Sequence, residues 1–171
     1  MPEDNPWGFK ITAPEYLYNL GEVYNLKVGR GTLTPEERYK IGDHVVQTIM
    51  MLEKLPYPKH LKDVPAIAGS HHETMDGQGY QKKLDKEQMS LPARMMAVAD
   101  TFEALTASDR PYKKPKKLRG AIRVMSFFKK DQHIDGELFD LFLKSGIYLE
   151  YAREYLDPDQ IDEGDIESYL S

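Results

Sequence analysis

Two adjacent imidazoles, His71 and His72, head the run His71-His72-Glu73-Thr74-Met75-Asp76-Gly77-Gln78-Gly79-Tyr80, and a lone carboxylate, Asp100, follows the apolar stretch Met95-Met96-Ala97-Val98-Ala99. Imidazoles beside acids, on a loop hinged by glycine, are what a site for a divalent metal and a phosphate group needs. Adjacent helical side chains point about 100° apart, so both rings face one small ion only if the helix is ending or two ions share the site. Asp76-Gly77 marks such an end; otherwise one histidine is a cap and the other a surface residue. An ionised Asp100 behind an apolar run is expected to be largely buried, and an unpaired buried charge costs several kcal/mol. A metal ion, or an ion pair with Arg94 or Arg110, would satisfy it. His44 recurs with Ile41, Val45 and Thr48 at helical spacing, as a hydrogen-bonded core histidine or as a ligand.

The elements that must carry these residues read as helices almost throughout. Thr12-Ala13-Pro14-Glu15 has the form of a capping box and predicts a helix to about Leu26, broken by Gly29-Arg30-Gly31. Thr34-Pro35-Glu36-Glu37 is a second box, opening a helix with Ile41, Val45, Ile49 and Leu52 on one face and closed by Pro56 and Pro58. A short helix is expected from near Asp63 into His71, a loop at Gly77 and Gly79, and a helix from Ser90-Leu91-Pro92 to about Thr106. Leu118, Ile122, Met125 and Phe128 predict another, and Leu138, Phe139, Phe142 and Leu143 one more. From about Asp157 the chain is acidic and is expected to pack loosely. No repeat, strand-like alternation or low-complexity linker is present. The reading is one all-α domain over residues 1–171.

Composition narrows the chemistry. With 171 residues and 40% hydrophobic content the chain can close one core. It has no cysteine, which excludes disulfides, zinc–thiolate sites and thiol nucleophiles. The net charge of -5 argues against polymeric DNA or RNA, which needs a broad basic footprint. No apolar stretch approaches a membrane span, and Met1-Pro2-Glu3-Asp4 is unlike a signal peptide. A cytoplasmic soluble protein is the expectation, and the charge leaves room for a small phosphorylated ligand held by a local cationic patch.

The run His71 to Tyr80 closely resembles the second half of the HD-GYP family, a branch of the HD metal-dependent phosphohydrolases, whose signature HHExxDGxGYP reads HHETMDGQGYQ here. The final proline has become Gln81. The likeness extends from about residue 31 to residue 143. It implies a helical HD-type domain with His44, His71, His72 and Asp100 as metal ligands. His44 follows Leu33-Thr34-Pro35-Glu36-Glu37 as the family's ligand histidine follows its Leu-Thr-x-Glu-Glu segment, and Ala97-Val98-Ala99-Asp100 resembles the motif of a bridging ligand. Glu73 and Asp76 fall at catalytic places. Arg110 and Lys113, in Asp109-Arg110-Pro111-Tyr112-Lys113, are implied phosphate contacts, and Tyr80 stands to stack on a base or to plug the loop onto the core.

The implied activity is hydrolysis of a cyclic dinucleotide, chiefly cyclic diguanylate, with two or three divalent ions, iron or manganese. One departure is specific. Family members carry an upstream His-Asp pair and a lysine; the corresponding region reads Glu15-Tyr16-Leu17-Tyr18-Asn19-Leu20-Gly21-Glu22. The domain is therefore expected to be incomplete on its N-terminal side, as a truncated or split protein, and weak or inactive alone. An upstream segment or a partner protein would complete the site, and a homodimer is the other partner reading. The alternative is a degenerate module that binds a cyclic dinucleotide, or regulates, without hydrolysis.

Overall fold

The box at Thr34 forms as its spacing predicts. The Thr34 hydroxyl accepts the Glu37 N–H (3.2 Å) and the Glu37 carboxylate accepts the Thr34 N–H (2.8 Å), satisfying two donors that a helix start leaves unpaired. In the computed structural model, which describes residues 5–29, 31, 33–108, 114–162 and 166–170, this box opens helix α2 (Pro35–Leu52), preceded by a short α1 (Glu22–Leu26). Then come α3 (Val64–Ala68), α4 (Leu91–Thr106), α5 (Leu118–Lys130), α6 (Gly136–Lys144) and α7 (Ile147–Tyr155). Among the described residues the fold is all-α, with one isolated antiparallel bridge between Asp76 and Asp85.

α3 packs between α2 and α4, α4 lies on α5 and α6, and α6 on α7. The main core gathers Phe102, Leu118, Met125, Ile134, Phe139 and Leu143 from α4, α5, α6 and the α5–α6 turn. A smaller cluster joins Val45, Val46 and Ile49 of α2 to Phe9, and a third joins Met75, Met89 and Ala93 beneath the histidine loop. Ser90 caps α4 by accepting the Ala93 N–H (3.4 Å), as its Ser-Leu-Pro start predicts. No helix of the described residues is long and apolar enough to cross a membrane.

Four expectations need correction. The helix predicted from Thr12 forms only over Glu22–Leu26. Its apolar side chains find nothing to pack on, Leu17, Leu20 and Leu26 being 68%, 87% and 86% exposed, and a short helix draws most of its stability from packing. Asn19 and Asn25 instead bond the backbone at Gly21 and Asn19, a local alternative to the helical ladder. Ile41 is exposed, because α2 turns Val45, Val46 and Ile49 inward. α7 is an additional helix, begun after Gly146 takes a left-handed φ of 77°. The acidic tail is also better anchored than its composition suggests: Gln160 is buried, and Ile161, Ile166, Tyr169 and Leu170 lie against the main core.

Candidate metal centre

α3 ends at Gly69, where a Cβ would stand 2.5 Å from Ile49 of α2, so a close approach of two helices stops the element just before the histidine pair. His71 and His72 then lie in a turn, free of the 100° offset that a continuing helix imposes. From α2, His44 meets them. One donor atom from each of the three rings lies within 4.8 Å of the others, and ring centroids stand 4.1 Å apart for His71 and His72 and 5.3 Å for His44 and His72.

Backbone carbonyls fix the tautomers of two rings. His71 Nδ1 lies 2.6 Å from the Ala68 carbonyl, and His44 Nδ1 contacts the Ile41 carbonyl. A carbonyl only accepts, so each Nδ1 donates there, which leaves Nε2 as the nitrogen open to a metal. Burial, then the neighbouring His71, with smaller effects of His44 and His133 and against the pull of Asp100, lowers the His72 pKa to about 4. Three imidazoles with donor atoms this close fit a divalent transition-metal ion.

Asp100 sits on α4 outside that set of three, though its charge acts on His72 and Tyr80. It is half-buried, less enclosed than its apolar flank predicts, because Met95, Met96 and Ala99 face outward. Arg94 does not serve it. The Arg94 guanidinium binds Asp135 at 2.5 Å. Arg110 and Lys113 lie outside the described residues.

The loop after the histidines is built around Glu73. This residue is 2% exposed, and its carboxylate accepts the N–H groups of Lys82 (2.6 Å) and Leu84 (3.0 Å), closing the glycine loop upon itself. Asp76 is exposed and shapes the same loop: one oxygen accepts the Thr74 hydroxyl (2.5 Å) and the Gln78 N–H (3.0 Å), and these bonds hold its carboxyl below the usual range. Tyr80 stacks on His72 with centroids 5.1 Å apart and lies close over Gly42, where a Cβ would stand 3.1 Å from the phenol ring and press it aside by a few tenths of an ångström. The ring thus fastens the loop to α2.

Gln81, in the place of the family's proline, is wholly buried, and neither side-chain amide atom has a hydrogen-bond partner among the described residues. Its neighbour is the Tyr80 hydroxyl. Burial pushes that pKa up to about 12 while the Gln81 amide opposes the rise, but their alignment falls short of a hydrogen bond.

A cavity of about 260 Å³ opens beside the histidines, lined by His72, Asp76, Tyr80, Asp131 and His133 among others. Sequence reasoning missed Asp131 and His133. Their turn reaches the site because Met75 N–H donates to the Gln132 carbonyl (2.8 Å), with Gln132 at a left-handed φ of 54°, and no periodicity signals a contact of that kind.

Residues 1–138 match the family described as HD domain. Among curated proteins, a cyclic di-GMP phosphodiesterase of Pseudomonas aeruginosa is 49% identical over 79 residues, covering 46% of this chain and 18% of that protein. A 3'3'-cGAMP-specific phosphodiesterase of Vibrio cholerae is 36% identical over 78 residues, or 46% of this chain and 18% of its own length. A cyclic di-GMP phosphodiesterase of Thermotoga maritima is 35% identical over 117 residues, 67% of this chain and 31% of that one. These matches span less than a third of each relative.

Proposed function

Because the chain belongs to the HD-domain family, in its HD-GYP branch, we propose that it carries a metal-dependent site for the phosphodiester of a cyclic dinucleotide, cyclic diguanylate first, in a cytoplasmic setting. The observation that carries this reading is the convergence of His44, His71 and His72 within 4.8 Å. With Asp100 they would hold iron or manganese, for which imidazole and carboxylate are suited donors. A bound ion of this kind polarises a phosphoryl oxygen and lowers the pKa of a coordinated water. Glu73 contributes by holding the loop that positions His72 and Tyr80, and Asp76 by shaping the cavity wall. Tyr80 offers a ring edge to a base, and Arg110 and Lys113 supply cationic contacts to the phosphates.

A second reading, a module that binds without hydrolysing, is favoured by residues 15–20. With Gly21 and Glu22 they make up the region that corresponds by resemblance to the family's His-Asp pair and lysine, yet it contains no histidine and leaves Tyr16, Leu17, Tyr18 and Leu20 exposed. We therefore expect the metal-loaded chain to hydrolyse cyclic diguanylate several orders of magnitude below an ordinary enzyme turnover of about one per second or more. Chromatography of the nucleotide after incubation, with metal content measured in parallel, tests both readings. Turnover near one per second that His72→Ala abolishes would establish a working site in this chain. Binding without turnover would select the module, and a chain that takes up no transition metal after reconstitution would remove both.

A further inference from the structure

Away from the histidines, Ile161, Asp162, Ile166 and Tyr169 of the tail stand in the angle between α5 and α7. A cavity of about 290 Å³ lies beneath them, toward the small end of the range for ligand pockets. Leu118, Ile122 and Tyr148, all buried, form its floor, and Ile161 and Ile166 of the tail wall it. Two guanidinium groups, Arg119 from α5 and Arg153 from α7, stand exposed at its edge. Neither makes an ion pair or side-chain hydrogen bond among the described residues. The acid at the rim, Asp162, is already engaged, its carboxylate accepting the Arg119 backbone N–H at 2.9 Å. Beyond Arg119 the rim continues into a hollow bordered by Lys117 and Arg123, a local excess of positive charge on a chain whose net charge is -5.

An apolar floor beneath two unpaired guanidinium groups has a definite complement. Planar guanidinium recognises a carboxylate through paired N–H donors, and the floor accepts hydrocarbon at roughly 25 cal/mol per Å² removed from water. We propose that this cavity binds a small amphipathic monocarboxylate, its headgroup between Arg119 and Arg153 and its short hydrocarbon body over Leu118, Ile122 and Tyr148. The site is independent of the metal centre.

Octanoate is a suitable probe, with acetate as a headgroup lacking a body and octanol as a body lacking a headgroup. Isothermal titration of the full chain, with methyl shifts of Leu118, Ile122 and Leu149 followed by NMR, should give saturable octanoate binding. Acetate and octanol should each bind at least about tenfold more weakly. The double variant Arg119→Gln/Arg153→Gln should weaken octanoate about tenfold or more with unchanged circular dichroism, because neither side chain holds a structural partner. Arg153→Gln alone, on the outer face of α7, should give a smaller loss in the same direction. Octanol binding as tightly as octanoate, octanoate affinity untouched in the double variant, or no saturation below about 10 mM would each overturn the proposal.

Discussion

Gly79 presses against Glu73 so closely that a Cβ at residue 79 would stand 2.4 Å from Glu73 Oε2 and 2.6 Å from Glu73 Cα. The glycine is required by this approach to a buried carboxylate. Gly79→Ala should therefore expel Glu73 from its place on the Lys82 and Leu84 amides, at a cost of about 1–3 kcal/mol from overpacking alone. Glu73→Gln, which keeps the shape and loses the charge-assisted acceptance, should cost about 1.5–3 kcal/mol. Thermal melts with metal analysis check both; full stability and metal uptake in Gly79→Ala would contradict the clasp.

The histidine triad sets an order of metal loss. His44→Ala, His71→Ala and His72→Ala should each reduce affinity for iron or manganese by roughly tenfold or more, and Asp100→Ala should lower occupancy more than Asp76→Ala, whose carboxylate is spent on the loop. Competition with a chromogenic chelator measures this. Unaltered metal content in Asp100→Ala would remove Asp100 from the ligands.

The metal-free chain should lose stability in acid through His72. His72 has its pKa lowered to about 4 by burial and its neighbours, against roughly 6.5 in the unfolded chain. Between those values the unfolded state binds the proton and the folded state does not, so the stability this ring contributes is present above about pH 6.5 and is lost as pH falls towards 4. The ring is half-exposed, so the loss is on the order of 1–2 kcal/mol after solvent screening. NMR titration should place the His72 midpoint near 4, and Tyr80→Ala, by uncovering the ring, should move it up. A midpoint at an ordinary histidine value would show that the ring is not enclosed as described.

How much of this was legible in sequence differs by element. α2 and α4 carry Thr34 and Ser90 caps followed by proline, local signals backed in both cases by an apolar face with a core to pack on, and both start where predicted. The segment from Thr12 carries an equally good local signal and fails, because its apolar residues meet no partner. The convergence of His44 with His71 and His72 joins α2 to the turn after α3, and a period of 3.6 cannot supply a long-range contact. Resemblance to family spacing put all three in one site. The Asp131–His133 turn had neither periodicity nor motif to announce it.

Arg94, which the sequence offered Asp100 only as the alternative to a metal, pairs instead with the buried Asp135. Burial alone would raise the Asp135 pKa, but Arg94, Lys86 and the N–H groups of Leu138 and Glu137 outweigh it and hold the carboxyl low. Asp135 also caps α6. Asp135→Ala strands Arg94 and removes the cap together, so a loss of about 3–5 kcal/mol is expected. The lowered pKa means that this contribution persists above about pH 4 and disappears only as pH falls through the folded value. Denaturant unfolding at neutral pH tests the first statement; a loss under 1 kcal/mol would refute the pair's importance.

Gln81→Leu should be neutral or stabilising, since it replaces two buried, unpartnered amide atoms by hydrocarbon of similar size. A clear fall in melting temperature would mean that the amide is satisfied by something such as a buried water.

The anchored tail has a topological consequence. The single amide nitrogen of Gln160 donates both to the Thr106 carbonyl (2.8 Å) and to the Lys116 carbonyl (3.2 Å), while the Lys116 N–H donates to the Leu105 carbonyl (3.0 Å). The chain that leaves α4 and returns before α5 is thereby tied off at its neck by a residue 44 positions further on. A loop with joined ends has already surrendered its closure entropy. Arg110 and Lys113 fall in sequence between the two tied ends, and a cut at Asp157, by removing the Gln160 bonds, would loosen that neck without touching a residue of the metal centre.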